Sequence, residues 1–262
     1  MKSPKKIFFV SDFHLGMPNE EVSLAREKSI IEWLEYCAPQ ADVVYLMGDI
    51  FDFWFEYKKV VPRGFVRFLG TLAKITDNGT RVVMFPGNHD LWLSEYLVKE
   101  CGVELIKKEL VVEHYGKRFF LHHGDGLGPG DNSYKVLKKI FLARFARFLF
   151  RWLHPDIGVA MAHRFSKKSR LAQNPKEDNY LGDQQEYLTQ FAIAHAQENQ
   201  KNPIDYYIFG HRHLVLDVHI GEKSRYINLG EWLHGSQYAA FDGETVELLN
   251  WPSNTAAVHK NG

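Results

Sequence analysis

Five times along this chain, a short apolar run stops at a tight cluster of Asp, Asn, His and Gly. Ile7 to Val10 meets Ser11, Asp12, Phe13 and His14, and Val43 to Met47 meets Gly48 and Asp49. Val82 to Phe85 leads to Pro86, Gly87, Asn88, His89 and Asp90. Phe119 to Leu121 leads to His122, His123, Gly124 and Asp125, and Tyr206 to Phe209 to Gly210, His211, Arg212 and His213. Runs of this length and residue type predict buried strands, each followed by a loop bearing ligand-type side chains. Amphipathic spacing over residues 22–37 and 63–76 predicts helices between the first three. Alternating strands and helices imply a sheet with helices on its faces, and ligand sites in such sheets lie beyond the carboxyl ends of strands.

Beyond residue 206 the pattern becomes strands and turns only, at 214–220, 225–229, 237–241 and 245–250, which predicts a second, antiparallel sheet. The expected architecture is therefore α/β: two stacked mixed sheets flanked by helices. Residues 127–199 break the rhythm and read as an inserted helical cap. The core is expected over 1–126 and 200–252, and the polar stretch 253–262 is expected to fray.

Composition excludes several classes. An aromatic content of 14% is too high for a chain that stays unfolded. Lys and Arg together number 32 and so do Asp and Glu, which gives no support to nucleic-acid binding. Cys37 and Cys101 form no close pair, so a disulfide scaffold is not expected and a reducing compartment is. The apolar run after the basic start is too short for a secretory signal, and none is long enough to span a bilayer.

The loop residues carry the chemistry. Asp12, His14, Asp49, Asn88, His123, His211 and His213 offer carboxylate, imidazole and amide donors, a set suited to Mn, Fe, Zn or Co. Seven donors exceed one tetrahedral ion and suit two ions sharing a carboxylate, an arrangement able to hold both oxygens of a phosphoryl transfer. On an extended segment residues i and i+2 face the same side, so Asp12 with His14, and His211 with His213, are each expected to chelate. His122 precedes its neighbour on a strand and is expected to point away. Asp90 and Asp125 suit either support of the ligands or plain turn formation. His114, His154, His163, His195, His219, His234 and His259 are read as surface or core residues.

The ordered set Asp12-x-His14, Gly48-Asp49-x-x-Asp52, Gly87-Asn88-His89-Asp90, His123-Gly124 and Gly210-His211-x-His213 resembles the calcineurin-like metallophosphoesterase superfamily over residues 7–213. The resemblance implies a dinuclear metal site. It gives Asp12, His14, Asp49 and His213 to one ion and Asp49, Asn88, His123 and His211 to the other, with Asp49 bridging. His89 matches the histidine that contacts phosphate and protonates the leaving group, and Asp52 the acid that orients it. Within the superfamily the chain most resembles the UDP-2,3-diacylglucosamine pyrophosphatases of lipid A biosynthesis. That likeness implies cleavage of a lipid-linked nucleotide sugar to UMP and 2,3-diacylglucosamine 1-phosphate, typically with manganese, at the cytoplasmic face of the inner membrane. Well-characterised members carry arginine at the place of His89, and often an acid other than Asp at the place of Asp52.

Residues 132–155 contain no acid but hold Lys135, Lys138, Lys139, Arg144, Arg147 and Arg151 among many aromatics. Such a helix fits contact with anionic lipid headgroups, against the plainer reading of a solvated face over a core face. Phe141, Phe145, Phe148 and Trp152 are candidates to line a slot for acyl chains. Arg164, Lys167, Lys168 and Arg170 are candidates to pair with phosphates. No protein partner is expected. Two alternatives fit the same residues: another lipid phosphoester or nucleotide phosphodiester as substrate, and a non-catalytic scaffold on the same fold.

Overall fold

The computed structural model describes residues 5–129, 132–172, 180, 182, 186–252, 254–255 and 259–260, with backbone alone for 132–133, 167–172 and those beyond 252. The first half of the chain alternates β1 (Lys6–Val10), α1 (Glu20–Cys37), β2 (Ala41–Leu46), α2 (Val66–Asp77), β3 (Arg81–Met84), α3 (Tyr96–Cys101) and β4 (Glu104–Leu105). The hairpin β5 (Leu110–His114) and β6 (Lys117–Leu121) follows. Next come helices α4 (Asn132–Leu142), α5 (Arg144–Arg151), α6 (Pro155–Ala172) and α7 (Tyr187–Glu198). Strands β7 (Tyr206–Phe209), β8 (Val215–Ile220), β9 (Ser224–Leu229), β10 (Gln237–Phe241), β11 (Val246–Asn250), β12 (Asn254–Thr255) and β13 (His259–Lys260) complete the described chain.

Two sheets result, in the orders β12-β11-β10-β1-β2-β3-β4 and β13-β8-β9-β7-β6-β5. The pairs β1–β2, β2–β3 and β3–β4 are parallel, as are β6–β7 and β7–β9. The second sheet is thus mixed rather than antiparallel. A further correction concerns β10 and β11, which do not join it. Strand β10 pairs antiparallel with β1, and β11 with β10, at the edge of the first sheet.

Alternation along each strand explains the continuous apolar runs. Ile7 and Phe9 of β1 face the layer between the sheets, with Val43, Tyr45, Phe119, Leu121, Ile208 and Ile227. Phe8 and Val10 face the other way, into the core beneath α1 and α2 with Trp33, Leu34, Phe68 and Leu72. A strand buried on both faces has no polar side to show. On the outer face of the second sheet, Phe120, Tyr207 and Tyr226 meet Leu188 and Ala192 of α7. Helix α7, although inside the expected cap boundaries, is therefore packed on this sheet.

Helix α5 has no buried residue. It is anchored by Phe150, whose ring lies 4.7 Å from those of Phe55 and Trp92. The stretch expected to fray contributes two short edge strands among its described residues, β12 against β11 and β13 against β8.

Candidate metal centre

All five ligand-bearing loops leave the carboxyl ends of parallel strands, β1, β2, β3, β6 and β7, so they meet at one end of the two sheets. Three groups of donors converge there: Asp12, His14 and His213; Asp49, His123 and His211; and His14, Asp49 and His89. His14 Nε2 lies 3.1 Å from His213 Nε2 and 3.6 Å from Asp12 Oδ1, which is itself 3.2 Å from His213 Nε2. Asp49 Oδ2 stands between the groups, 3.9 Å from His14 Nε2 and 3.5 Å from His123 Nε2. Asn88 Oδ1 reaches to 3.3 Å from His123 Nε2. Two ligands of one ion, each about 2.1 Å from it, stand roughly 3 to 3.5 Å apart, so these spacings fit shared cations.

The candidate donors come together differently from the expectation. Asp12 and His14 are not on an extended segment; their φ angles are 57° and 45°. His211 and His213 also lie in the left-handed region, at 68° and 53°, and they join different donor groups rather than one. Asp49 shares that conformation, at 53°. Such backbone costs about 1–3 kcal/mol per residue and persists only where the surroundings impose it. Glycines permit the crowding. A Cβ on Gly87 would lie 2.2 Å from Asp49 Oδ1, and one on Gly210 would lie 2.5 Å from Asp12 Oδ2.

Surrounding groups aim these candidate donors. Asp49 Oδ1 accepts from the His89 N–H at 2.8 Å, leaving Oδ2 toward the histidines. Asp90 ties two loops together, accepting from the backbone of Ile50 at 2.8 Å and Gly87 at 2.7 Å. Burial and the Asp49 charge push its carboxyl up to about 7. His123 Nδ1 faces the Met47 carbonyl at 2.9 Å, which turns Nε2 to the cage. Arg26 of α1 donates to the carbonyls of His14, at 2.7 Å, and Met17. Asp125 is held by Lys138 at 2.7 Å. His122 is spent on the Gly124 N–H at 2.9 Å, and burial lowers it to about 4.

The electrostatics call for positive charge. Asp12 and Asp49 are fully buried, and burial alone would raise both; instead the neighbouring imidazoles hold both below the usual carboxylate range. Burial likewise opposes charge on His123, but Asp49 overrides it and lifts the imidazole to about 10. His211 is driven down to about 4 by burial and by His123. A bound cation would take the place of the His123 proton, as metal binding to imidazole generally requires. Carboxylate, imidazole and amide donors around buried negative charge fit divalent ions.

Beside the cage, His89 Nδ1 lies 3.3 Å from Asp52 Oδ1. Two residues of α6 that sequence reasoning passed over reach the same carboxylate: Ser166 Oγ at 3.1 Å and His163 Nδ1 at 3.4 Å. They lie three residues apart on one helix face, a spacing visible in the sequence but with no target there to give it meaning.

The candidate substrate contacts are more scattered. Phe141 packs on Trp92 at 5.7 Å, while Phe145 is 70% exposed. Arg164 is exposed, and the side chains of Lys167, Lys168 and Arg170 lie outside the described residues. Among the described residues, no helix is long and apolar enough to cross a membrane.

The profile of the calcineurin-like phosphoesterases matches residues 5–215. The chain belongs to that family. It is similar to a protein of Porphyromonas gingivalis named UDP-2,3-diacylglucosamine hydrolase, with 38% identity over 93% of this chain and 96% of the relative. Proteins of the same name from Haemophilus influenzae and Aeromonas salmonicida are 26% and 28% identical. They match over 87% and 97% of this chain and 91% and 97% of their own lengths.

Proposed function

We propose that this chain hydrolyses the pyrophosphate bond of UDP-2,3-diacylglucosamine, releasing UMP and 2,3-diacylglucosamine 1-phosphate. The observation that carries the chemistry is the convergence of four distant loops on Asp49, which stands on a fifth. The substrate is suggested by the name of the Porphyromonas relative, aligned along nearly the whole chain.

Asp12, His14, Asp49 and His213 would hold one divalent cation, and Asp49, Asn88, His123 and His211 the other, with manganese the preferred ion. When bound, such a pair would supply Lewis-acid charge at the phosphoryl oxygens and lower the pKa of a water. His89, 15% exposed beside the cage, contacts the phosphate and gives its proton to the leaving oxygen. Asp52 orients that ring, and Ser166 and His163 steady Asp52 from α6.

Helices α4–α6 act as the cap. Their exposed Phe145, Phe148 and Trp152, with the basic residues between them, rest on an anionic membrane surface at its cytoplasmic face. Phe141 and Phe145 accommodate acyl chains, and the cluster Arg164, Lys167, Lys168 and Arg170 pairs with phosphate. The test is product analysis of the purified chain with manganese and the UDP-linked lipid. UMP is the expected product; release of inorganic phosphate without UMP contradicts the reading.

A further inference from the structure

Arg212 lies between two of the proposed ligands, His211 and His213. We propose that Arg212 and Glu186 form a positioning pair that fixes where those two imidazoles stand and thereby sets the affinity for both ions. The inference rests on the ligand assignment made above.

The pair is buried and two-pronged. The Glu186 side chain is 1% exposed and that of Arg212 is 12% exposed. Arg212 Nε donates to Glu186 Oε2 at 3.0 Å, and Nη2 donates to Oε1 at 2.9 Å. The guanidinium also stands 5.8 Å from the Tyr187 ring centroid. At its other end, the Arg212 backbone N–H donates to the Gly210 carbonyl at 2.8 Å. The residue is thus restrained at both backbone and tip.

Desolvating two charges offsets much of their attraction, so a buried pair adds little net stability unless its geometry is good. A forked arginine–carboxylate contact does impose direction. The segment needing direction is the strained one, with His211 and His213 both left-handed. On one side this turn is pressed against Ser11 and Asp12 through Gly210. On the other it is held by the Arg212 fork.

The anchor is rigid. Glu186 stands at the start of α7, whose Leu188 and Ala192 are fully buried on the second sheet. The ligand arm is therefore tied to the packed layer of the fold and not to the exposed helices α4–α6. A purely structural pair would change melting temperature and leave metal affinity in the folded protein alone. A positioning pair changes the affinity itself.

The test uses the full chain stripped of metal, titrated calorimetrically with Mn²⁺, and with Co²⁺ for its visible absorption. Wild type, Glu186→Gln and Arg212→Lys are compared, with circular dichroism confirming the fold. Wild type is expected to bind two ions. Glu186→Gln is expected to bind about 10- to 100-fold more weakly with a shifted Co²⁺ spectrum. Arg212→Lys keeps the charge but lacks the fork, and is expected to rescue little of the loss. Folded variants with wild-type affinities and spectra overturn the pair's role, whatever their melting temperatures. Failure of both variants to fold also overturns it, because the pair is then structural. A wild type that binds no ion overturns the ligand assignment itself, a result visible before any variant is made.

Discussion

Asp12, His14, Asp49 and His123 are each exposed by no more than 1%, whereas Phe145, Phe148 and Trp152 of α5 and its end are exposed by 70%, 55% and 77%. The first group is held by backbone hydrogen bonds, left-handed turns and a carboxylate shared between donor groups. The second rests on the rest of the protein largely through Phe150. Phosphoryl chemistry needs donors placed within a few tenths of an ångström, and only packed strands supply that. The proposed recognition of an amphiphile needs apolar area and positive charge, and exposed α5 carries both. Changes in the cage should therefore alter rate on every substrate, and changes in α5 should alter choice among substrates.

The largest expected effect separates the two regions most sharply. His89→Gln should lower kcat by about 10²- to 10⁴-fold on the UDP-linked lipid and on a small diester alike, with metal content unchanged. Steady-state kinetics on both substrates check this; a loss confined to the lipid would move His89 from chemistry to substrate choice.

A second effect tests how tightly the cage end of the fold is packed. Burial lowers His122 to about 4, below the value of about 6.5 in an unfolded chain. The unfolded state then binds the proton more readily, so the His122 contribution to stability is full above about pH 6.5 and is lost as pH falls toward 4. The loss approaches about 3 kcal/mol. Urea unfolding across that window should show a shallower pH dependence in His122→Gln than in wild type. Parallel curves would mean that this edge of the site admits water.

The smallest effect belongs to the helices. Replacing both Phe145 and Trp152 by Ser should raise KM for the UDP-linked lipid about tenfold, equivalent to about 1.4 kcal/mol and in line with partial loss of two aromatic contacts. Hydrolysis of bis-nitrophenyl phosphate should be unchanged. Equal losses on both substrates would remove the distinction between the regions.

The same contrast governs what could be read from the residues. The convergence of the donor-bearing loops is legible because metal chemistry admits few side chains and strands announce their ends; Asp49 beside Gly48 and Asn88 beside Gly87 are such cases. Asp12 and His14 come together through left-handed turns rather than extended backbone, and although Asp and His tolerate that conformation better than most residues, the sequence does not say which of them adopt it. The pattern of short strands and turns predicts β10 and β11 but carries no sheet address, and the pairing of β10 with β1 spans almost the whole chain. His163 and Ser166 were illegible for a related reason. Their target, Asp52, is more than a hundred residues away along the chain, and the docking of Phe150 on Trp92 and Phe55 beside Gly158 is a tertiary contact.

The central claim is most directly tested by counting ions. Elemental analysis of the purified chain, loaded with Mn²⁺ and then dialysed, should find about two ions per chain, falling below one in Asp49→Ala. A folded wild type that retains none, or an Asp49→Ala variant that retains both, would contradict the shared cage.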